Sequence, residues 1–173
     1  NIADKATVAG VEVEIRKNLF VRPVSNAAHG MNKLSLGLNG SYIYTNAKMP
    51  LATVTTGSQL EGAAPWIVNF DLSHNFTKGE RSFVNTLVLN YVSDKIYTIG
   101  TQGYQDVMEQ GVLILDFVSQ AKLNKHLSLN LKARNLLNPS YKLSRKANEN
   151  GEKVILNDYK KGINISLGVS CTF

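Results

Sequence analysis

The stretch that decides the fold is "GINISLGVSCTF", residues 162–173, in which every second residue is apolar. The apolar set is Ile163, Ile165, Leu167, Val169, Cys171 and Phe173, and only glycine, asparagine, serine and threonine stand between them. A repeat of two residues is that of a β-strand, whose successive side chains point to opposite faces. The stretch therefore predicts a strand with one apolar face and one small, polar face.

The same alternation recurs along the chain. Its apolar positions fall in the segments 11–15, 34–44, 66–76, 83–91, 113–121 and 127–133. With the closing stretch, these segments predict about seven strands. In the first of them Val13 is flanked by Glu12 and Glu14, and a dry protein core does not hold such charges unpaired. The polar faces must therefore contact water.

Two architectures place such strands in opposite ways. A soluble β-sandwich turns the apolar faces inward onto a core, whereas an outer-membrane barrel turns them to lipid and the polar faces to a wet lumen. A strand of about 11 residues rises roughly 36 Å, and a tilt of about 40° leaves roughly 28 Å along the membrane normal. This span matches the apolar band of a barrel.

The connections between the predicted strands alternate in length. The segments "TKGER" and "NKH" are short enough for hairpins, whereas 46–65, 93–110 and 137–160 are long and predicted to be loops. Short turns on one side and long loops on the other are typical of outer-membrane barrels. The connection 20–32 is an exception, since it is long on the short side, and we expect its Pro23 and Gly30 to prevent a continuous strand.

The aromatic residues provide an independent indication. Strand alternation places Tyr42, Tyr44, Trp66 and Tyr91 at one end of the strands, and Phe76, Phe83 and Phe173 at the other end. Aromatic girdles at both interfaces are a feature of membrane proteins, whereas a sandwich would carry most of these rings in its core. The sequence therefore predicts an all-β, antiparallel transmembrane β-barrel. A soluble β-sandwich or small β-barrel that acts as a structural or adhesive module is the alternative.

The composition argues against several other functions. The 173-residue chain has a net charge of +6, but its basic residues are scattered, so we expect no nucleic-acid binding. Cys171 is the single cysteine, and His29, His74 and His126 lack metal-ligand spacing. Ser73 and His74 are neighbours on opposite faces of a strand and cannot form a nucleophile and its base. We expect no enzyme activity, no metal and no cofactor.

Laid in order, the strands resemble the C-terminal end of TonB-dependent outer-membrane receptors, especially those of the Bacteroidetes type. The stretches that carry this resemblance are "GVEVEIRKNL", "LSLGLNGSYIYT", "LEGAAPWIVNFDLSHNF", "LSLNLKARNLLNPSY" and "GINISLGVSCTF". They span nearly the whole chain, and "ARNLLNP", residues 133–139, followed after a loop by a final strand ending in phenylalanine, is the most specific feature.

Receptors of this family carry an N-terminal plug and roughly 22 strands. The resemblance implies that residues 1–173 are one partial domain, about seven C-terminal barrel strands, with the plug and earlier strands outside this sequence. It implies the outer membrane of a Gram-negative bacterium, and TonB-dependent uptake of a scarce ligand such as a ferric siderophore, haem, a vitamin or a glycan. The implied partners are membrane lipid, TonB, the ligand and the barrel-assembly machinery.

The resemblance also implies roles for particular residues. The closing strand is similar to the C-terminal assembly signal of outer-membrane proteins, with Phe173 as the terminal aromatic and Ile165, Leu167 and Val169 as the alternating apolar positions.

We interpret a further set of polar residues as a lumen-facing wall, in which carboxylates pair with Arg16, Lys132 and Arg134, rather than as an acid–base set. That set is Glu12, Glu14, Arg16, Asn69, Asp71, Asp116, Lys132 and Arg134. Four tyrosines in the long connections can either stack on a ligand or pack the connections together. These are Tyr97, Tyr104, Tyr141 and Tyr159.

Overall fold

The computed structural model describes residues 5–24, 30–48, 59–101, 104–147 and 152–172. This part of the chain contains eleven strands, with the following bounds. They are β1 (Lys5–Pro23), β2 (Met31–Lys48), β3 (Trp66–Lys78), β4 (Arg81–Val92), β5 (Lys95–Thr98), β6 (Val107–Glu109), β7 (Val112–Lys122), β8 (Leu127–Arg134), β9 (Ser140–Lys146), β10 (Lys153–Lys160) and β11 (Asn164–Cys171). Among the described residues there is no helix long and apolar enough to cross a membrane.

The strands form two antiparallel sheets. The larger has seven strands in the order β1-β2-β3-β4-β7-β8-β11. These are the strands that sequence alternation predicts, and each pairs with the next of them along the chain. β1 and β11 are the edges of this sheet. The all-β, antiparallel prediction is confirmed.

The register of the large sheet places the predicted apolar positions on one face and most of the polar positions on the other. One row of directly paired residues crosses six strands and is apolar throughout. It consists of Leu36, Leu72, Leu87, Phe117, Ala133 and Ile165. A slip of one residue in any pairing would exchange the two faces, so this row fixes one apolar face and one polar face for the whole sheet.

Aromatic residues lie at both ends of the apolar face, as predicted from the sequence. Tyr42 and Trp66 are paired at the end that carries the long connections, with ring centroids 4.5 Å apart. Phe76 and Phe83 are paired at the end that carries the short turns, with centroids 6.3 Å apart. The two aromatic pairs therefore bracket the apolar row described above.

The apolar face is not the inside of a soluble core. Within the described residues no large side chain is fully buried, and all positions of β4 except its exposed Arg81 and Tyr91 are half-buried. Each strand makes its main contacts with its hydrogen-bonded neighbours. A β-sandwich would bury large side chains between two facing sheets. The structure thus lacks the packing that the sandwich alternative requires.

The long connections 93–110 and 137–160 are not irregular loops, and this part of the prediction was wrong. They form the second sheet, with four strands in the order β10-β9-β6-β5. The two connections meet where Val107, Met108 and Glu109 of β6 pair with β9. Segments this long must satisfy many backbone N–H and C=O groups, and pairing the two connections with each other achieves this.

β1 and β2 are also longer than predicted, at 19 and 18 residues. β1 continues to Pro23, which pairs with Met31, so the connection is reduced to residues 24–30. Proline is tolerated there because it lies at the end of an edge strand. At the other end, β2 continues beyond Tyr42 and pairs only with β1. This extension is tied to the segment 59–65 by the bond from Ile43 N–H to the Pro65 carbonyl, at 2.9 Å.

Candidate functional site: polar wall and surface sheet

The polar face of the large sheet brings together residues from all seven strands. One row pairs Glu14, Asn39, Asn69 and Asn90, and the next includes Arg16, Gly37, Asp71 and Asp116. Register places the whole predicted set on this one face, here called the polar wall. That set is Glu12, Glu14, Arg16, Asn69, Asp71, Asp116, Lys132 and Arg134.

Hydrogen bonds connect the first three strands of the polar wall. The Arg16 guanidinium forms an ion pair with Glu14. Asn39 Nδ2 donates to Glu12 Oε1 at 2.6 Å, and Asn69 Nδ2 donates to Asn39 Oδ1 at 3.3 Å. Charged and amide groups therefore satisfy one another across β1, β2 and β3, as a hydrated wall requires.

The expected pairing of carboxylates with Lys132 and Arg134 is not observed. Within the described residues neither basic side chain forms an ion pair with a carboxylate of the polar wall. Asp116 instead accepts a hydrogen bond from the backbone N–H of Asn135, at 2.8 Å. Its carboxylate therefore anchors the chain end of β8, a backbone role that sequence alternation does not reveal.

A depression of about 400 Å³ lies on the polar wall, with Arg16, Lys33, Asp71 and Ser73 among its lining residues. Gly37 is part of this lining and faces Asp71 across the β2–β3 pair. A Cβ atom at Gly37 would lie 2.1 Å from Asp71 Oδ1. The glycine is thus needed for the carboxylate of Asp71 to occupy its position.

The segment "ARNLLNP" forms a clamp between three strands. Asn135 and Asn138 both adopt positive φ, at 58° and 43°, a conformation that asparagine tolerates better than most residues. Asn135 Nδ2 donates to the Gly162 carbonyl at 2.7 Å, and Asn138 Oδ1 accepts from Gly162 N–H at 3.0 Å. With the bond to Asp116, this clamp joins the middle of β7 and the end of β8 to the start of β11.

We expect Asn135→Ala to lower the free energy of unfolding by about 2 kcal/mol, because it loses a buried hydrogen bond and forces alanine into the left-handed region. Asn135→Gly should cost about half as much, since glycine tolerates positive φ and only the hydrogen bond is lost. Urea titration of the folded protein measures both variants. Equal stability of the wild type and the alanine variant would contradict the clamp.

The second sheet, here called the surface sheet, is held by stacked aromatic and charged side chains. Tyr141 is buried and its ring stacks on Tyr159, with centroids 5.5 Å apart. Lys161 Nζ lies 3.9 Å from the centre of the Tyr141 ring. The ion pairs Lys95–Glu109 and Lys142–Asp158 span adjacent strands at 3.3 and 3.7 Å. Tyr141 and Tyr159 therefore serve the packing of the sheet.

The other two predicted tyrosines are placed differently. Tyr97 is 56% exposed and Tyr104 is 61% exposed. The Arg145 guanidinium lies 5.0 Å from the centre of the Tyr104 ring. Arg145 also borders a depression of about 320 Å³, together with Asp94, Asp106 and Met108. This part of the surface sheet offers aromatic, cationic and acidic groups to solvent.

A comparison of the sequence with models of known protein families identifies the family of this chain. The family described as TonB dependent receptor-like, beta-barrel matches residues 1–136. The chain belongs to this family. In the same comparisons no curated protein and no solved structure matched the sequence. The match covers β1 to β8 of the TonB-dependent receptor barrel and ends at the clamp.

Membership in the TonB-dependent receptor family determines the class of architecture and function. The family consists of outer-membrane β-barrel receptors and transporters of Gram-negative bacteria rather than enzymes, and the large antiparallel sheet fits such a barrel. The described residues contain no group of three or more histidine, cysteine or acidic side chains that could hold a metal ion. In the described part of the receptor, the polar wall and the surface sheet carry the polar, charged and tyrosine side chains that the sequence analysis singled out.

Proposed function

We propose that this chain is the C-terminal part of the barrel of a receptor in a Gram-negative outer membrane. The receptor takes up a scarce ligand, such as a ferric siderophore, haem, a vitamin or a glycan. TonB supplies the energy through a region that lies outside this sequence. The polar wall lines the lumen, the apolar face contacts lipid, and the surface sheet lies on the extracellular side.

The observation that carries this proposal is the six-strand apolar row, from Leu36 to Ile165, set against the polar wall. In water such a row would have to be covered by a second layer. In a bilayer it is the expected lipid-facing surface, and the polar wall meets a hydrated interior. The family match to a TonB-dependent receptor barrel supports the same assignment.

The surface sheet supports a role in ligand capture. It is built from the connections opposite the short turns, which in outer-membrane barrels are extracellular. We assign the exposed Tyr97 and Tyr104 as ligand contacts, because aromatic rings offer a large contact area at low entropic cost. Tyr141 and Tyr159 support the same sheet by packing its β9–β10 pair.

The strand β11 supports a role in assembly. Its apolar positions Ile165, Leu167 and Val169 are 68%, 72% and 59% exposed, and its outer edge has no strand partner within the described residues. We assign these residues and Phe173, which lies outside the described residues, to an assembly signal that the barrel-assembly machinery recognises. In a closed barrel this strand would pair with the first barrel strand, and its alternating apolar side chains would face lipid.

Site-directed spin labelling of the intact receptor in lipid vesicles tests the orientation of the two faces. Labels at Val68, Leu129 and Leu167 should be accessible to oxygen dissolved in the bilayer. Labels at the adjacent Asn69, Asn130 and Ser166 should be accessible to a water-soluble nickel complex. The native cysteine, Cys171, is exposed and must first be replaced by alanine.

The neighbouring positions form matched pairs, since each pair shares a strand and a depth. Nickel accessibility at all six positions would mean that the sheet is surrounded by water, which would refute the barrel orientation. The reverse pattern would mean that the polar face contacts lipid, which is equally incompatible with the proposal.

A further inference from the structure

A short polar row interrupts the apolar face near the short turns. His74, Asn85 and Ser119 are paired across β3, β4 and β7, one step from the Phe76–Phe83 pair. His74 Nε2 lies 2.8 Å from Asn32 Oδ1, and the Ser119 hydroxyl donates to Asn85 Oδ1 at 2.7 Å. Four polar side chains thus share a surface that elsewhere in the central strands is apolar.

These hydrogen bonds leave part of the row unsatisfied. The side-chain amide N–H groups of Asn32 and Asn85 have no acceptor among the described residues. Exposing polar groups to hydrocarbon without a partner costs free energy. Their position is therefore favourable only if acceptors from outside the chain reach them. Lipid ester carbonyls and phosphate oxygens are the acceptors available at the edge of a bilayer.

Two basic residues continue the same face toward the turn. Lys78 and Arg81 are directly paired just beyond the Phe76–Phe83 pair, and both are exposed. Like charges directly opposite each other on a sheet are destabilising. The nearby carboxylate of Glu80 is bound to Lys125, at 3.1 Å. Within the described residues no acidic side chain forms an ion pair with Lys78 or Arg81.

We propose that Asn32, His74, Asn85, Ser119, Lys78 and Arg81, here called the rim patch, bind one anionic glycerophospholipid of the inner leaflet. The basic pair holds the phosphodiester, and the amides donate to its ester oxygens. The Phe76–Phe83 pair lies between them, where rings favour the membrane interface. This inference rests on the proposed orientation of the barrel, with the apolar face in lipid and the short turns in the periplasm.

The dimensions of the rim patch fit one lipid molecule. The row of His74 and Asn85 is four residues from the row of Lys78 and Arg81, which is about 13 Å along the strands and about 10 Å along the membrane normal after a tilt of about 40°. The long stems of lysine and arginine can fold back over several ångströms of apolar surface. The basic groups and the amides can thus contact the phosphate and ester regions of the same lipid.

Native mass spectrometry of the intact receptor, titrated with phosphatidylglycerol, tests the proposal. The variant Lys78→Gln/Arg81→Gln should bind this lipid roughly 30-fold more weakly, since each basic residue near an anionic lipid surface contributes about 1 kcal/mol. The control Lys33→Gln/Lys122→Gln removes two charges from the polar-wall side of the same rim. The control should bind the lipid as the wild type does.

A second variant tests the amides without changing the charge. Asn32→Leu/Asn85→Leu should also weaken lipid binding, while the folded fraction stays at the wild-type level because leucine suits a lipid-facing position. An unchanged affinity in both target variants would overturn the proposal. An equal loss in the control would do the same, as would equal or tighter binding of phosphatidylethanolamine, lipopolysaccharide or free phosphate.

The spin-label experiment separates this inference from the proposed function. Labels that report lipid at Val68 and Leu129, combined with no effect of the rim-patch variants on lipid binding, would overturn the lipid site alone. Labels that report water at those positions would overturn the barrel orientation itself.

Discussion

An arginine at Leu87 should destabilise the receptor by about 2–4 kcal/mol, the cost of a basic side chain at the bilayer midplane of a barrel. Leu87 lies midway along β4 between Phe83 and Tyr91, and it is paired with Leu72 and Phe117 in the apolar row. The guanidinium would lie in the apolar row with no carboxylate paired beside it, and Asn85, two residues away on the same face, is uncharged. Urea titration of the protein in lipid vesicles gives the difference in unfolding free energy.

Thr86→Arg is the matched control for this variant. Thr86 is the next residue on the same strand, but it lies on the polar wall, where its hydroxyl is 3.1 Å from that of Ser73. It also borders the depression that contains Asp71, so an arginine there has both water and a carboxylate within reach. Equal costs at Leu87 and Thr86 would mean that the two faces are not lipid and lumen.

Replacing Phe173 with aspartate should leave most of the receptor unfolded in the cell, while synthesis and secretion continue normally. The reason is the proposed assembly signal. If the barrel-assembly machinery recognises β11 together with its terminal aromatic, a charge at that position removes the recognised element before the barrel forms. The heat-modifiable folded fraction in isolated outer membranes measures the effect.

Phe83→Asp controls for the loss of a ring at the membrane interface. Phe83 lies at the short-turn end of the same face, where it contacts Phe76, but it belongs to an internal strand. If Phe173 only anchors one strand at the interface, its ring contributes about 0.5–1.5 kcal/mol, and both variants should assemble to a similar extent. A near-normal folded fraction for Phe173→Asp would refute the assembly signal.

The large sheet could be predicted from the sequence because the pattern that defines each strand lies within a short segment of the chain. A period of two assigns each side chain to a face, and the register then confirmed those faces for residues as far apart as Leu36 and Ile165. The ends of the apolar face were also predictable, since Tyr42, Trp66, Phe76 and Phe83 lie at the ends of their alternating segments.

The surface sheet and the rim patch could not be predicted, because both depend on pairing between distant segments. β6 has three residues, too few to show a period, and it joins the second connection to the first by pairing with β9, more than thirty positions along the chain. Asn85 reads as an irregularity within its own strand. Only the register shows that it lies beside His74 and Ser119. The order of residues along the chain does not show which residues of different strands become neighbours.

The clamp has a consequence for how this receptor can diversify. Gly162 N–H donates to Asn138 Oδ1 at 3.0 Å, so a hydrogen bond ties together the two ends of the long connection between β8 and β11. The entropy of closing a loop rises slowly, by about 0.6 kcal/mol for each doubling of its length. A replacement for the β9–β10 hairpin would have to keep a strand that pairs with β6. Under that condition the clamp gives protein engineers a defined pair of splice points for altering ligand choice.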